Sequence, residues 1–383
     1  MKNILLRGSW QTKNIGDIAH TPGFLHLAEQ FLCDCKVWLW PCLLDRGVRE
    51  MLLKNFPGLR IAESDSELRE AFAQCDMMIN GSGPCVDCRS IDAWVDRTHK
   101  PYGLFGISVD GLWNEQKRRV LSEASFVFCR DTISEYFLKQ QQLQCPVIAF
   151  ASDSTFGLNL EKDSSADLFL ERSGLEPENF ICVIPRLRFT PNSFDETHFY
   201  YSDPARESAS MNNLESDMAK MREVICHIVE NYDLKVLICP EMTYQVPMGL
   251  HFLYERLPES VKPKVVCKRE YWITSEAESV YAKSKALVSM EMHSPIIFID
   301  EHKPAILLRQ AEDTFKGQMW RDIGLQDWIL ELNVSDAALI NAHVDKILQD
   351  YPKALKLAAA AGKHALDSDR AAMERIRAVL DQL

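Results

Sequence analysis

The sequence lacks the features of a membrane protein, a secreted protein or an electrostatic nucleic-acid binder. No apolar run approaches the length of a membrane span, and the run before Arg7 is shorter than the core of a signal peptide. The 383 residues include 43 Lys and Arg against 55 Asp and Glu, a formal net charge of −12. Proteins that hold phosphate backbones need a net basic face. We therefore predict a cytoplasmic protein with no integral membrane segment and no nucleic-acid partner.

Motifs for disulfides, zinc and nucleotides are also missing. Twelve cysteines without a signal peptide indicate reduced thiols. Cys85 and Cys88 form a CxxC that has no second pair at zinc spacing, so we interpret it as a tight turn into a helix and predict no metal site. The first glycine-bearing loop is neither GxGxxG nor a Walker loop with its lysine, so neither standard nucleotide motif supports nucleotide binding.

The sequence contains two series of short apolar runs separated by amphipathic stretches, which is typical of parallel sheets covered by helices on both faces. We predict an α/β protein with two Rossmann-like doubly wound domains facing a cleft, over residues 1–170 and 171–336. The helical segment 337–383 is predicted to pack across the domains, and its amphipathicity would also suit an oligomer contact. The polar stretch 190–213 is predicted to be a strand-free loop or lid beside a site.

Polar residues follow several predicted strands, at the edge where open α/β sheets bind ligands. His293 and Arg309 end two neighbouring strands of the second series. The other candidates at strand ends are Asn14, Gly16 and Asp17; Gly81, Ser82 and Gly83; Arg130 and Asp153; and Arg186 and Arg188. Each of them alone is compatible with a helix cap, a turn or an ion pair. Their recurrence at one edge favours a binding site.

The order of these motifs resembles the polysaccharide pyruvyl transferase family. The resemblance runs from about residue 7 to residue 330 and consists of N-x-G-D, a strand ending in GSGP, CRDTIS, SDSTF, and a late histidine followed by a KPAILL strand and a lysine. It implies two Rossmann-like halves similar to the B-type glycosyltransferases. It also implies transfer of a pyruvyl group from phosphoenolpyruvate to hydroxyls of a sugar or glycan, giving a cyclic ketal and phosphate, with no metal or organic cofactor.

The resemblance also implies a role for each candidate. His293 is the acid that protonates the methylene of phosphoenolpyruvate. The donor-binding residues are Arg186, Arg188, Arg309 and Lys316; the acceptor-binding residues are Asn14, Gly16, Asp17, Gly81, Ser82 and Gly83; and the other cleft residues are Arg130, Asp153 and Glu291. Arginine forks suit a small trianionic donor.

Glu291 departs from the family pattern, because the family commonly has an arginine two residues before the histidine. Either Arg309 and Lys316 take over anion binding, or the donor has changed and Glu291 binds hydroxyls of a sugar or a ribose. Two alternative functions therefore stay open. One is a B-type glycosyltransferase that uses a nucleotide sugar, and the other is a non-catalytic glycan-binding relative.

Overall fold

The computed structural model describes residues 2–83, 86–109, 114–313 and 315–383. The predicted CxxC turn includes Cys85, which lies outside the described residues. The chain forms two compact units, each with its own parallel sheet. The first unit comprises the segment ending at Thr12 with Asp17–Glu161 and Gly362–Leu383, and the second comprises Lys13–Gly16 with Lys162–Ala361. The predicted α/β class with two doubly wound parallel sheets is confirmed.

The first unit is built on a parallel sheet in the order β3-β2-β1-β4-β5-β6-β7. Its strands are β1 Lys2–Gly8, β2 Cys35–Pro41, β3 Arg60–Ile61, β4 Met77–Asn80, β5 Tyr102–Ile107, β6 Val127–Cys129 and β7 Ile148–Phe150. Its helices in this part of the chain are α1 Ile15–Phe31, α2 Val48–Asn55, α3 Asp65–Gln74, α4 Cys88–Thr98, α5 Glu115–Glu123 and α6 Thr132–Lys139. The first two residues of α1 belong to the second unit. Strands β4, β5 and β6 are buried along their whole length, as expected for central strands covered on both faces.

The second unit is built on a parallel sheet in the order β12-β11-β8-β13-β14-β15, with a separate antiparallel pair, β9 and β10. The strands are β8 Phe180–Ile184, β9 Ser193–Phe194, β10 Phe199–Tyr200, β11 Lys235–Ile238, β12 Val265–Cys267, β13 Ala286–Ser289, β14 Ala305–Arg309 and β15 Ile329–Glu331. The helices are α7 Ser164–Ser173, α8 Pro204–Asn231, α9 Gln245–Met248, α10 Thr274–Tyr281, α11 His293–Asp300, α12 Gln318–Asp322, α13 Ala337–Gln349 and α14 Tyr351–Leu380. Helix α14 contributes its residues up to Ala361 to the second unit and those from Gly362 to the first.

The prediction that residues 190–213 are free of strands is wrong. Strands β9 and β10 form a short hairpin, and α8 begins at Pro204. The side chain of Asp203 accepts a hydrogen bond from the Ala205 amide and so caps the helix, while proline suits the first helical turn. The hairpin is anchored by Phe199, which is buried with its ring centroid 6.1 Å from that of Tyr244. Residues 190–213 are mostly polar, so their composition does not indicate the short hairpin, which depends on the burial of Phe199.

None of the helices in the described parts of the chain combines the length and the apolar character that crossing a membrane requires.

Candidate functional site

His293 lies at the carboxyl edge of the second sheet, where it begins helix α11 just after β13. Strand β13 is central, because it pairs with β8 on one side and with β14 on the other. The imidazole is only 16% exposed. Ligands of parallel sheets bind at this edge, so the position of the histidine suits a role in chemistry.

Glu241 is the carboxylate beside His293, and it follows β11, which is separated from β13 by β8 in the sheet. Its side chain is fully buried, with Oε1 3.4 Å from Nδ1 of His293 and Oε2 accepting a 2.7 Å hydrogen bond from the Ser294 amide. Burial alone would raise the pKa of Glu241, but the neighbouring His293 imidazole and the hydrogen bond from the Ser294 amide together hold that pKa below its usual value. A buried, ionised carboxylate therefore lies beside the imidazole.

The segment Lys13–Gly16 forms one wall of this site. Asn14 forms an antiparallel bridge with Met242, and the Ile15 amide donates a 3.0 Å hydrogen bond to the carbonyl of Glu241. Gly16 packs directly on His293: a Cβ atom at residue 16 would lie 2.1 Å from Cβ of the histidine. The side chain of Asn14 accepts a 2.7 Å hydrogen bond from the Gly16 amide, which fixes this turn. The N-x-G motif therefore needs a glycine because only a residue without a side chain fits against the imidazole.

Glu291 and Arg186 are in contact at the same edge. Ile184 and Ser289 are paired in register on β8 and β13, so the residues two positions further along are neighbours. Arg186 Nε lies 3.4 Å from Glu291 Oε2, and Arg186 also pairs with Asp313. Burial, the largest cause, raises the pKa of Glu291 to about 8 against the opposing effect of Arg186. The negative charges of Glu241 and Asp313 act in the same direction as burial, so the protonated form of Glu291 is favoured at neutral pH.

Gln245 holds the other oxygen of Glu291. Its Nε2 donates a 2.7 Å hydrogen bond to Glu291 Oε1, while its own Oε1 accepts one of 2.7 Å from the Glu241 amide. The buried Gln245 side chain therefore links Glu241, which lies beside His293, to Glu291, which lies beside Arg186.

The remaining predicted donor ligands also have carboxylate partners or lie on the surface. Arg188 contacts both oxygens of Asp217, at 3.0 and 3.1 Å, and also pairs with Glu312. Arg309 donates from Nε to Glu331 over 2.8 Å, across the pairing of β14 with β15. The Lys316 side chain is exposed, and its charge acts on Glu291.

Arg130 and Asp153 lie together in the core of the first unit. Arg130 Nη1 is 2.6 Å from Asp153 Oδ2, and Asp153 Oδ1 is 3.2 Å from His20 Nε2. Arg130 also donates to Ser108, and Asp153 accepts from the Thr155 amide. Both charged side chains are at least 97% buried. These contacts give them a structural role in joining the ends of neighbouring strands.

The predicted acceptor residues of the first unit are also engaged in local contacts. Asp17 lies in the first turn of α1 and accepts a hydrogen bond from Gln11. The Gly81 amide donates to the carbonyl of Arg7, and the Ser82 carbonyl accepts from the Trp10 indole over 2.7 Å. Gly83 has a φ of +145°, a conformation that side chains rarely adopt.

The structure thus brings together His293, Asn14 and Gly16 around Glu241, and Arg186 beside Glu291. Sequence reasoning did not single out Glu241, Gln245 or Asp313. Glu241 carried a usable signal, because it follows an apolar strand at the same edge as the other candidates. Asp313 carried none, since it lies in an acidic stretch that resembles an ordinary surface segment.

Comparison with known proteins relates the chain to one family by sequence and to several proteins by fold. The family model described as polysaccharide pyruvyl transferase matches residues 14–310. No curated protein sequence matches the chain significantly. Similar solved structures are S. aureus MnaA in a co-structure with UDP (TM-score 0.64, 10% identity, 100% of this chain and 98% of that one), Anabaena Alr3699/HepE in complex with UDP and glucose (0.58, 11%, 100% and 100%) and the UDP-GlcNAc 2-epimerase from Methanocaldococcus jannaschii (0.59, 13%, 90% and 92%). At these identities the likeness extends to the fold alone.

Proposed function

Because the chain belongs to the polysaccharide pyruvyl transferase family, we propose that it transfers the pyruvyl group of phosphoenolpyruvate to two hydroxyls of a sugar in a glycan. The observation that carries the proposal is the placement of an acid and a guanidinium at one sheet edge. His293 follows β13 and Arg186 follows β8, and these two strands pair directly. Adjacent strands lie about 4.8 Å apart, so one small donor can reach both side chains.

The imidazolium of His293 supplies the proton that makes the donor electrophilic. It protonates the methylene carbon of the enol, which becomes a methyl group, and the adjacent carbon then accepts the oxygen of a sugar hydroxyl. Phosphate leaves with the electrons of its bond to that carbon, and the oxygen of a second hydroxyl closes the ketal. Of the two hydroxyl protons released, one restores the imidazolium and the other leaves with phosphate. The proposed step therefore needs no oxidant or reductant.

Arg186 is the proposed ligand of the anionic donor. Its guanidinium can bind a carboxylate or a phosphate through two parallel hydrogen bonds. Burial raises the pKa of Glu291 to about 8, which favours the protonated carboxyl at pH 7. Asp313 is then the main counter-charge that a donor has to displace. This protonation supports anion binding despite the glutamate at residue 291.

A second candidate function is transfer from a nucleotide sugar, and the carboxylates at this edge favour it. Glu291 stands where the family commonly has an arginine, and carboxyl oxygens suit the hydroxyls of a ribose or a sugar. Two of the solved structures with a similar fold are named as complexes with UDP. On this proposal Glu291 would bind hydroxyls, and Arg186 would keep Glu291 in place.

Calorimetric titration with phosphoenolpyruvate and, separately, with UDP distinguishes the two candidates. We expect phosphoenolpyruvate to bind and Arg186→Lys to weaken its binding at least tenfold, because lysine keeps the charge but loses the fork. Arg309→Lys is the matched control at β14, and it should change the affinity less than threefold. His293→Gln should retain binding but lose phosphate release. Binding of UDP without phosphoenolpyruvate would overturn pyruvyl transfer and favour the nucleotide-sugar candidate.

A further inference from the structure

Glu241 has more contacts than a helix cap requires. The Ser294 amide needs only one acceptor, and Oε2 supplies it at 2.7 Å. The other oxygen, Oε1, lies 3.4 Å from Nδ1 of His293. Burying an ionised carboxylate lowers stability unless the charge is paired. If Glu241 served only as a cap, its second oxygen would be buried without a compensating interaction.

The backbone of Glu241 is fixed from two sides. Its amide donates a 2.7 Å hydrogen bond to Oε1 of Gln245, and its carbonyl accepts one of 3.0 Å from Ile15. The next residue of the same N-terminal segment, Gly16, contacts the imidazole itself. The carboxylate and the ring are therefore positioned by one continuous set of contacts within the second unit. Such support is what a catalytic side chain needs in order to keep one orientation.

We propose that Glu241 is a positioning residue that holds the His293 ring in one orientation and in one tautomer, with the proton of the neutral ring on Nδ1. A carboxylate can only accept a hydrogen bond, so the ring nitrogen that faces it carries the proton. Nε2 is then the nitrogen that gains and loses the proton during transfer. The inference about activity rests on the proposed function, whereas the tautomer is a property of the protein without substrate.

The tautomer can be tested by nitrogen-15 NMR of histidine-labelled protein, with the His293 signals assigned from a His293→Gln variant. Spectra are recorded above the pH at which histidine normally titrates. We expect the wild-type ring to be protonated at Nδ1. Glu241→Leu removes both oxygens and should shift the ring towards protonation at Nε2. Glu241→Gln keeps an oxygen for the Ser294 amide, so it preserves the cap and should still weaken the preference for Nδ1. The Glu241→Gln variant also allows the His293 tautomer to be measured if Glu241→Leu does not fold.

Glu301→Gln is the matched control, because Glu301 is a half-buried glutamate that caps the opposite end of α11. It should leave the His293 tautomer unchanged. In the transfer assay, Glu241→Gln should lower kcat by roughly 100-fold and change KM less than threefold, since the variant loses orientation of the acid and not donor binding. A wild-type ring protonated at Nε2, or a tautomer and kcat that Glu241→Gln leaves unchanged, would refute the proposal. A Glu241-dependent tautomer in a protein without pyruvyl transfer would support the positioning role and overturn the proposed function.

Discussion

Replacing Gly16 with alanine perturbs the proposed acid through a single added methyl group. The new Cβ would lie 2.1 Å from Cβ of His293, 2.2 Å from Cγ and 2.5 Å from Nδ1. Ordinary contacts begin at about 3.4 Å, so the two groups must separate by about 1.3 Å. The backbone of residue 16 is held by Asn14 and by the Ile15 contact with Glu241, so we expect the imidazole to move.

A displacement of this size has a predictable cost. A misplacement of about 1 Å at a reacting group can lower the rate by about 100-fold, whereas overpacking typically costs about 1–3 kcal/mol of stability. We therefore expect Gly16→Ala to remain folded, with a melting temperature lower by several degrees, and to lose roughly 100-fold in kcat. Phosphate release from phosphoenolpyruvate in the presence of a panel of soluble glycosides measures the rate, and calorimetry measures stability.

Gly58→Ala is the matched control for Gly16→Ala. A Cβ at Gly58 would meet nothing within 4 Å, and the residue has no positive φ. The control should therefore retain wild-type activity and stability. If Gly16→Ala kept the wild-type kcat, or if its His293 NMR signals did not move, the contact between residue 16 and His293 would not control the position of the imidazole. That result would refute the reasoning.

Three further predictions concern the charged residues of the second unit. Stability should fall as pH rises from about 4.5 to about 8, because the folded protein keeps on Glu291 a proton that the unfolded chain releases; Glu291→Gln should flatten this dependence in thermal denaturation. Asp313→Asn should bind phosphoenolpyruvate about tenfold more tightly in calorimetry, since removing about 1.4 kcal/mol of competition frees Arg186. Arg188→Met should lower the free energy of unfolding by about 3–5 kcal/mol in denaturant titration, because Asp217 stays buried without its partner.

Each of these three predictions has an outcome that contradicts it. A Glu291→Gln variant whose melting temperature follows the wild-type pH dependence would mean that Glu291 is ionised when folded. Asp327→Asn, an exposed aspartate of the same unit, is the control for Asp313→Asn, and equal affinities in the two variants would exclude competition by Asp313. An Arg188→Met variant as stable as the wild type would show that the buried pair is dispensable.

The strands and their type could be predicted from the sequence because buried parallel strands are short, continuous apolar runs. The apolar runs that we interpreted as strands correspond to the strands of the two parallel sheets. The hairpin β9–β10 could not be predicted in this way, because two-residue strands have no periodicity to detect. Its formation depends instead on burial of Phe199 against Tyr244 and Phe252, which are distant in sequence.

The sequence indicated which residues lie at strand ends but not which of them are paired. Arg186 and Glu291 are 105 positions apart, and only the order of the strands shows that β8 and β13 are neighbours. Once Ile184 and Ser289 are known to pair, the contact between the two charged residues follows from equal offsets along adjacent strands. In the same way, the N-x-G motif indicated a tight turn, while the contact between Gly16 and His293 depends on tertiary structure.

On the proposed function, the same register makes a glutamate at residue 291 compatible with an anionic donor. An arginine there would place a second guanidinium about one strand spacing from Arg186, and it would remove the 2.7 Å hydrogen bond that Gln245 donates to Glu291. Glu291 instead accepts from Gln245 and lies against Arg186, which restricts the directions in which that guanidinium can point. Because burial raises the pKa of this carboxyl to about 8, its protonated form can orient the guanidinium without cancelling its charge. On the proposed function, Glu291 would support the donor ligand rather than bind the donor itself, and donor affinity would depend on Arg186.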